Sequence, residues 1–168
     1  IDIVYHEQAN PEKIADITIQ SSRLQGIEIC SEIAPRMIDE YPILAVAAAF
    51  AEGTTTMQGL KELRVKESDR LSAIADGLTL CGIKVEETID SLTVYGTGGS
   101  VKGGALIETN MDHRIAMAFL VLGIASEQPV EIDDATTIET SFPHFCELMS
   151  TVGAKLTKTT GPREVTPL

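Results

Sequence analysis

Apolar residues along this chain recur at two spacings. Short alternating or β-branched runs, the signature of strands, lie at 1–5, 16–21, 27–30, 54–57, 83–85, 91–95, 105–108 and 130–132. Between them, apolar positions repeat at the i, i+3, i+4 spacing of a buried helix face. Pro42 opens one such helix, which runs to residue 51 and is closed by Gly53. Ser68 is the candidate cap of a second, with Leu71, Ile74, Leu78 and Cys81 as its face and Gly82 as its stop. Asp112 caps a third, long and apolar, with Arg114 in its first turn. Ser141-Phe142-Pro143 caps a fourth, whose buried stripe is Phe142, Phe145, Met149 and Val152 and whose stop is Gly153. A loop is expected over 10–13. The glycine-rich stretch 96–104 reads as a hairpin loop, because neither a helix start nor a Walker-type lysine–serine pair follows to make a phosphate cradle.

The pattern repeats. A shift of about 71 residues lays Leu71 on Phe142, Ile74 on Phe145, Leu78 on Met149, Cys81 on Val152 and Gly82 on Gly153. With small gaps, Asp39 falls on Asp112. Each copy reads strand, strand, helix, strand, helix, strand, which places the chain in the α/β (α+β) class as a single domain with two repeat units, 1–81 and 82–156. Residues 1–4 correspond to the strand after a Gly82-type stop, so the chain reads as a fragment of a longer protein. The Thr-rich segment 157–168, with Gly161-Pro162, reads as a loosely ordered tail.

Composition narrows the function. With 168 residues, 43% of them hydrophobic, and no low-complexity run, the chain can fold around one core of ordinary size. A net charge of −12 excludes nucleic acid and anionic membrane surfaces as general partners, so any anionic ligand needs a local cationic cluster. The apolar runs 43–51 and 115–125 are too short to span a bilayer, and the first residues lack a basic region followed by an apolar one. The protein therefore reads as cytoplasmic. Cys30, Cys81 and Cys146 are odd in number and far apart, which suits reduced thiols, and with His6, His113 and His144 they make no metal-ligand spacing.

Chemistry concentrates in Arg64-Val65-Lys66-Glu67-Ser68-Asp69-Arg70, where five of seven side chains are charged just ahead of the second helix. Glu67 lies one turn before Leu71 on the same helix face if the helix begins that early. That placement would turn its carboxyl toward the core, desolvate it in part and suit it to proton exchange, while Lys66 and Arg70, four apart, bracket an anion. By spacing alone the better reading of the run is a solvated helix start.

Arg64-Val65-Lys66-Glu67-Ser68-Asp69-Arg70-Leu71 resembles the signature of the 5-enolpyruvylshikimate-3-phosphate synthase family, whose members move an enolpyruvyl group from phosphoenolpyruvate to shikimate 3-phosphate. Ile38-Asp39-Glu40-Tyr41-Pro42, leading into an Ala-rich helix, and Asp112-His113-Arg114-Ile115-Ala116-Met117-Ala118 resemble that family's other carboxy-terminal motifs, in the family's order. The resemblance implies an enolpyruvyl transferase-like domain of repeated βαβαββ units with helices packed inside against sheets. It makes this chain the later part of the carboxy-terminal half. No counterpart of the family's amino-terminal lysine–serine motif is present, so much of the site would come from an amino-terminal domain of the same protein. An addition–elimination reaction needing no metal or organic cofactor is implied as well.

Carried over position by position, the resemblance assigns Arg70 and Arg114 to phosphoenolpyruvate and Lys66 to the neighbourhood of the reacting hydroxyl. Asp39 becomes the contact to the shikimate hydroxyls and a candidate base, Glu67 the proton donor to the methylene carbon, and His113 a ligand-side hydrogen-bond donor. Asp112 remains mainly a helix cap. Without the resemblance, Lys66, Arg70 and Arg114 are exposed surface cations and Asp39 is a cap. Some family members carry a lysine where this chain has Thr140, so that role is either filled from elsewhere or the grip on phosphoenolpyruvate is weaker. Two rivals stand beside this reading: an enolpyruvyl transferase acting on UDP-N-acetylglucosamine, and a non-catalytic binding or scaffold domain of the same fold. Lys66-Glu67-Ser68-Asp69-Arg70 favours the shikimate enzyme. The isolated chain is expected to be catalytically silent, because the family's site closes between two domains.

Overall fold

The computed structural model describes residues 1–6 and 13–158; residues 10–12 of the predicted loop and 159–168 of the predicted tail lie outside the described residues. Strands β1 (Asp2–Tyr5) and β2 (Ala15–Thr18) pair antiparallel as a ribbon of their own, the second stopping short of the predicted residue 21. Then come β3 (Glu28–Ile29), α1 (Ala34–Met37), α2 (Tyr41–Phe50), β4 (Glu52–Gln58), α3 (Arg70–Leu80), β5 (Lys84–Glu87) and β6 (Ser91–Thr97). Their strands form one sheet in the order β3-β4-β6-β5, with β3 parallel to β4 and the other pairs antiparallel. The chain continues through β7 (Leu106–Ile107), α4 (His113–Ala125) and β8 (Glu131–Ile132), β7 running parallel to β8, and then α5 (Thr136–Ser141) and α6 (Phe145–Thr151). The β3–α2–β4 and β7–α4–β8 passages thus share one layout, a parallel strand pair joined through a helix.

Alternation along the strands decides which face is inward. Thr55 is in register with Val94 and Met57 with Leu92, and all four are buried, so β4 and β6 turn one face to the helices. Ala45, Ala48 and Ala49 of α2, Leu71, Ile74 and Leu78 of α3, and Ile115, Phe119 and Leu122 of α4 fill the space over it. Helix α2 carries no charged residue because it is enclosed, and its alanines let it lie close to the sheet. At Gly96 a Cβ would meet the Ala51 carbonyl oxygen at 2.1 Å, so only glycine lets β6 pass under the end of α2.

Several local expectations are corrected. Helix α2 ends at Phe50, and Gly53 (φ +90°) lies inside β4 instead of closing the helix. Sheet bonds take the backbone over at once, Glu52 donating to Leu24 O and Ala51 O accepting from Gly98. The cap of α3 is Asp69, whose carboxylate accepts from the Ser72 amide at 3.1 Å, and not Ser68. The glycine stretch is no hairpin loop: both edges of β6 are occupied by β4 and β5, so the chain crosses to a second sheet, with Gly103 bridging to Gln128. Ser141 ends α5 rather than capping a helix, and α6 starts after His144, whose backbone is left-handed (φ +63°). This break leaves Phe145 buried but Phe142 and Val152 exposed, because Ile138 of the unanticipated α5 takes the place against Ala116. Residues 154–158 join no sheet, so the strand expected after Gly153 does not form among the described residues.

Candidate active site

Three helix starts meet at one carboxylate. Asp39 sits in a single 3-10 turn (Ile38–Glu40) ahead of α2, Arg70 is the first residue of α3, and Arg114 lies in the first turn of α4. Arg70 Nη1 donates to Asp39 Oδ1 at 2.9 Å, and Lys66 Nζ stands 3.7 Å from the same oxygen. Arg114 Nη2 is 3.8 Å from Asp39 Oδ2, and its Nη1 donates to the Asp39 carbonyl at 3.0 Å. Asp39 caps nothing, since α2 has no side-chain cap. The anion that Lys66 and Arg70 bracket here is Asp39 itself.

Arg70 holds the centre and is 1% exposed. Its Nε donates to Asp112 Oδ2 at 2.7 Å and its Nη2 to Glu67 Oε2, so every face of the fork is matched. Asp112, fully buried, serves two purposes: Oδ1 accepts from the Arg114 and Ile115 amides as the α4 cap, while Oδ2 takes Arg70 and the Ser68 hydroxyl. Burial pushes the Asp112 carboxyl up, but the Arg70 hydrogen bond and charge outweigh it and hold it below its ordinary value. Around the rim, Lys66 pairs with Glu62 at 2.6 Å and Arg114 with Glu40 at 3.3 Å. The hydrogen bond that Lys66 donates to Glu62, against the opposing effect of burial, raises the Lys66 ammonium above its ordinary value and keeps it charged.

The arrangement separates fixed from exchangeable contacts. Arg70 and Asp112 are sealed together, whereas Glu40, Glu62 and Glu67 are at least half exposed and can swing away from their cations. An anion that displaced them would meet an ammonium and two guanidiniums already in place.

The expected site residues are thus brought together, with two differences. The helix does not begin early enough to place Glu67 one turn ahead of Leu71 on the same face, since α3 starts at Arg70, and the half-exposed Glu67 carboxylate pairs with Arg70 instead of turning into the core. His113 is half-buried at the first position of α4, and its ring takes no part in this network. Thr140 is exposed in α5, its hydroxyl donating to Thr137 O. The cap reading of Asp112 missed its bond to Arg70, for which sequence carries no signal, since 42 residues separate them. The Glu62–Lys66 pair was open to the i, i+4 rule.

This fold is that of enolpyruvyl transferases. The enolpyruvyl transferase NikO from Streptomyces tendae, 20% identical, matches it with a TM-score of 0.64 over 95% of this chain and 34% of its own, a likeness of fold alone. EPSP synthase from Acinetobacter baumannii matches with a TM-score of 0.84 at 42% identity, covering 91% of this chain and 36% of that one. The family model of EPSP synthase (3-phosphoshikimate 1-carboxyvinyltransferase) matches residues 6–149, and the chain belongs to that family. The 3-phosphoshikimate 1-carboxyvinyltransferase of Paramagnetospirillum magneticum is 61% identical over 145 residues, which is 86% of this chain and 32% of that protein. The chain therefore spans about a third of the length of the curated relatives it matches. No helix among the described residues is long and apolar enough to cross a membrane.

Proposed function

We propose that this chain supplies the carboxy-terminal part of the active site of a 3-phosphoshikimate 1-carboxyvinyltransferase, which moves the enolpyruvyl group of phosphoenolpyruvate to the 5-hydroxyl of shikimate 3-phosphate. The single observation that carries the reading is the convergence of Lys66, Arg70 and Arg114 on Asp39, with Glu67 beside Arg70. Phosphoenolpyruvate carries a carboxylate and a phosphate, and two guanidiniums with an ammonium match that pair of anions. Asp39, half-exposed beside these cations, is placed to take the proton of the attacking hydroxyl. Glu67 delivers a proton to C3 as the hydroxyl oxygen bonds to C2. The tetrahedral adduct then returns a proton from C3 to Glu67 and expels phosphate, which leaves with the proton Asp39 had taken, so that atoms and charge balance and both carboxyls regain their starting states. Lys66 steadies the negative charge on the phosphate and the oxygens around C2.

The two β–α–β passages support reading the chain as two repeat units, and its span of about a third of its relatives' length supports a site completed by an amino-terminal domain. Calorimetric titration of shikimate 3-phosphate and then phosphoenolpyruvate into the chain, with and without a separately made amino-terminal half, tests this. Binding and turnover are expected only in the mixture. Turnover by the isolated chain would overturn the divided site, and a folded mixture that neither binds nor turns over would favour a non-catalytic scaffold.

A further inference from the structure

The loop that carries Lys66 and Glu67 lacks apolar anchorage of its own. Leu63 and Leu71 on either side of it are fully buried, yet Val65 between them is 80% exposed and the remaining residues are polar. The position of this loop is therefore set by polar contacts. Those on its inner side, among Asp39, Glu67, Arg70 and Asp112, are partly the ones an anionic substrate would exchange. Those on its outer side belong to Arg64.

Arg64 is mostly buried and reaches across to the turn between β5 and β6. Its Nε donates to Ile89 O at 3.0 Å, and its Nη2 donates to Thr88 O and to Glu87 Oε1, the latter at 2.7 Å. Its Nη1 turns back to Asp69 Oδ2 at 3.0 Å and Ser72 Oγ at 3.1 Å. Asp69 is the cap of α3, and the Ser72 hydroxyl in turn donates to Glu87 at 2.9 Å. The same turn holds the approach to the loop, for Asp90 accepts from the Lys61 amide at 2.6 Å and, through its carbonyl, from the Leu60 amide at 2.9 Å. Arg64 and Asp69 thus close the loop at both of its ends and fasten both ends to one hairpin turn. Only a planar fork with donors on three nitrogens can satisfy these acceptors together.

Building on the proposed function, we infer that Arg64 is a positioning residue: with Glu87 and the 88–90 turn, it holds Lys66 and Glu67 in register with the reacting carbons while substrates replace the loop's inner contacts. The contacts of Arg64 lie outside the substrate cluster and need not change on binding, so they supply the fixed reference that near-attack geometry requires.

The test uses the full-length transferase that contains this chain, with Arg64→Lys, Arg64→Ala and Glu87→Gln variants. Arg64→Lys keeps the charge and loses the fork. Its kcat is expected to fall about 10²-fold with little change in either KM, the signature of misplaced reacting groups. Glu87→Gln, which keeps one acceptor oxygen and loses the charge, is expected to show the same kcat-selective loss at a smaller size. Guanidinium ion at millimolar concentration should restore part of the Arg64→Ala rate, which it cannot do for a variant that has merely lost its fold. Folded Arg64→Lys and Glu87→Gln enzymes turning over at the wild-type rate would overturn the inference. So would a loss of rate that only follows the loss of folded protein and is not rescued. A folded wild-type enzyme without enolpyruvyl transfer would instead overturn the proposed function on which the inference rests.

Discussion

The Arg70 guanidinium and the Asp112 carboxylate, 2.7 Å apart and sealed from solvent, tie the start of α3 to the start of α4. Removing the carboxylate leaves a buried cation without its fully buried partner and strips α4 of its cap. Asp112→Ala should therefore cost about 3–5 kcal/mol, toward the lower end because Asp39 and Glu67 still face Arg70. Asp112→Asn keeps an oxygen for the cap and should cost less. Urea unfolding of the two variants measures both effects.

Acid should remove the same contribution. Burial pushes the Asp112 carboxyl up, yet Arg70, the Arg114 amide and the Ser68 hydroxyl together hold it below the ordinary 3.8. A carboxyl depressed by folding stabilises fully above its unfolded value and loses that contribution as pH falls through its folded value. Stability followed from about pH 7 downward should retain this contribution to about pH 4 and lose it below. The acid limb should be shallower in Asp112→Asn, and superimposable limbs would assign acid unfolding to other carboxylates.

Glu67 faces Arg70 across one hydrogen bond that an amide oxygen can also accept. On the proposed function, in which Glu67 is the proton donor, Glu67→Gln in a full-length enzyme should leave substrate binding nearly intact while lowering kcat about 10²- to 10⁴-fold, the usual contribution of a positioned general acid. Steady-state kinetics with separate binding titrations distinguish this from a loss of affinity.

Gly77 sits inside α3, where alanine would ordinarily be worth up to about 1 kcal/mol more than glycine. Here the sign should reverse. An added Cβ would lie 2.2 Å from Phe119 Cζ, and Phe119 is locked in the core. Gly77→Ala should destabilise by about 1–3 kcal/mol, read as a lower urea midpoint.

Cys81 is buried, and burial pushes its thiol up to about 11, whereas Cys30 and Cys146 are exposed. A thiolate-selective reagent at neutral pH should label Cys30 and Cys146 in the folded chain and Cys81 only after denaturation. Rapid labelling of Cys81 under native conditions would show that the α3 end of the core opens readily.

Local order was legible in the sequence. Helix α2, the apolar face and Gly82 stop of α3, and the Asp112 cap of α4 follow from side-chain spacing and from backbone chemistry that acts within a turn or two. The three motifs also named the family, because the residues that meet at the site lie in short, separately recognisable stretches. Partner choice was not legible. Ser68 and Asp69 are both able to cap a helix, and the choice between them depends on Arg64 on one side and Asp112 on the other. The glycine stretch looked like a hairpin because nothing local says that both edges of β6 are already taken. Asp39 looked like a cap until the fold placed two arginines and a lysine around it. Sequence by itself determined elements, stops and motif identity, since propensity and periodicity are properties of neighbours along the chain. Tertiary structure alone decided which charges meet and which strands pair, since those depend on distances between residues tens of positions apart.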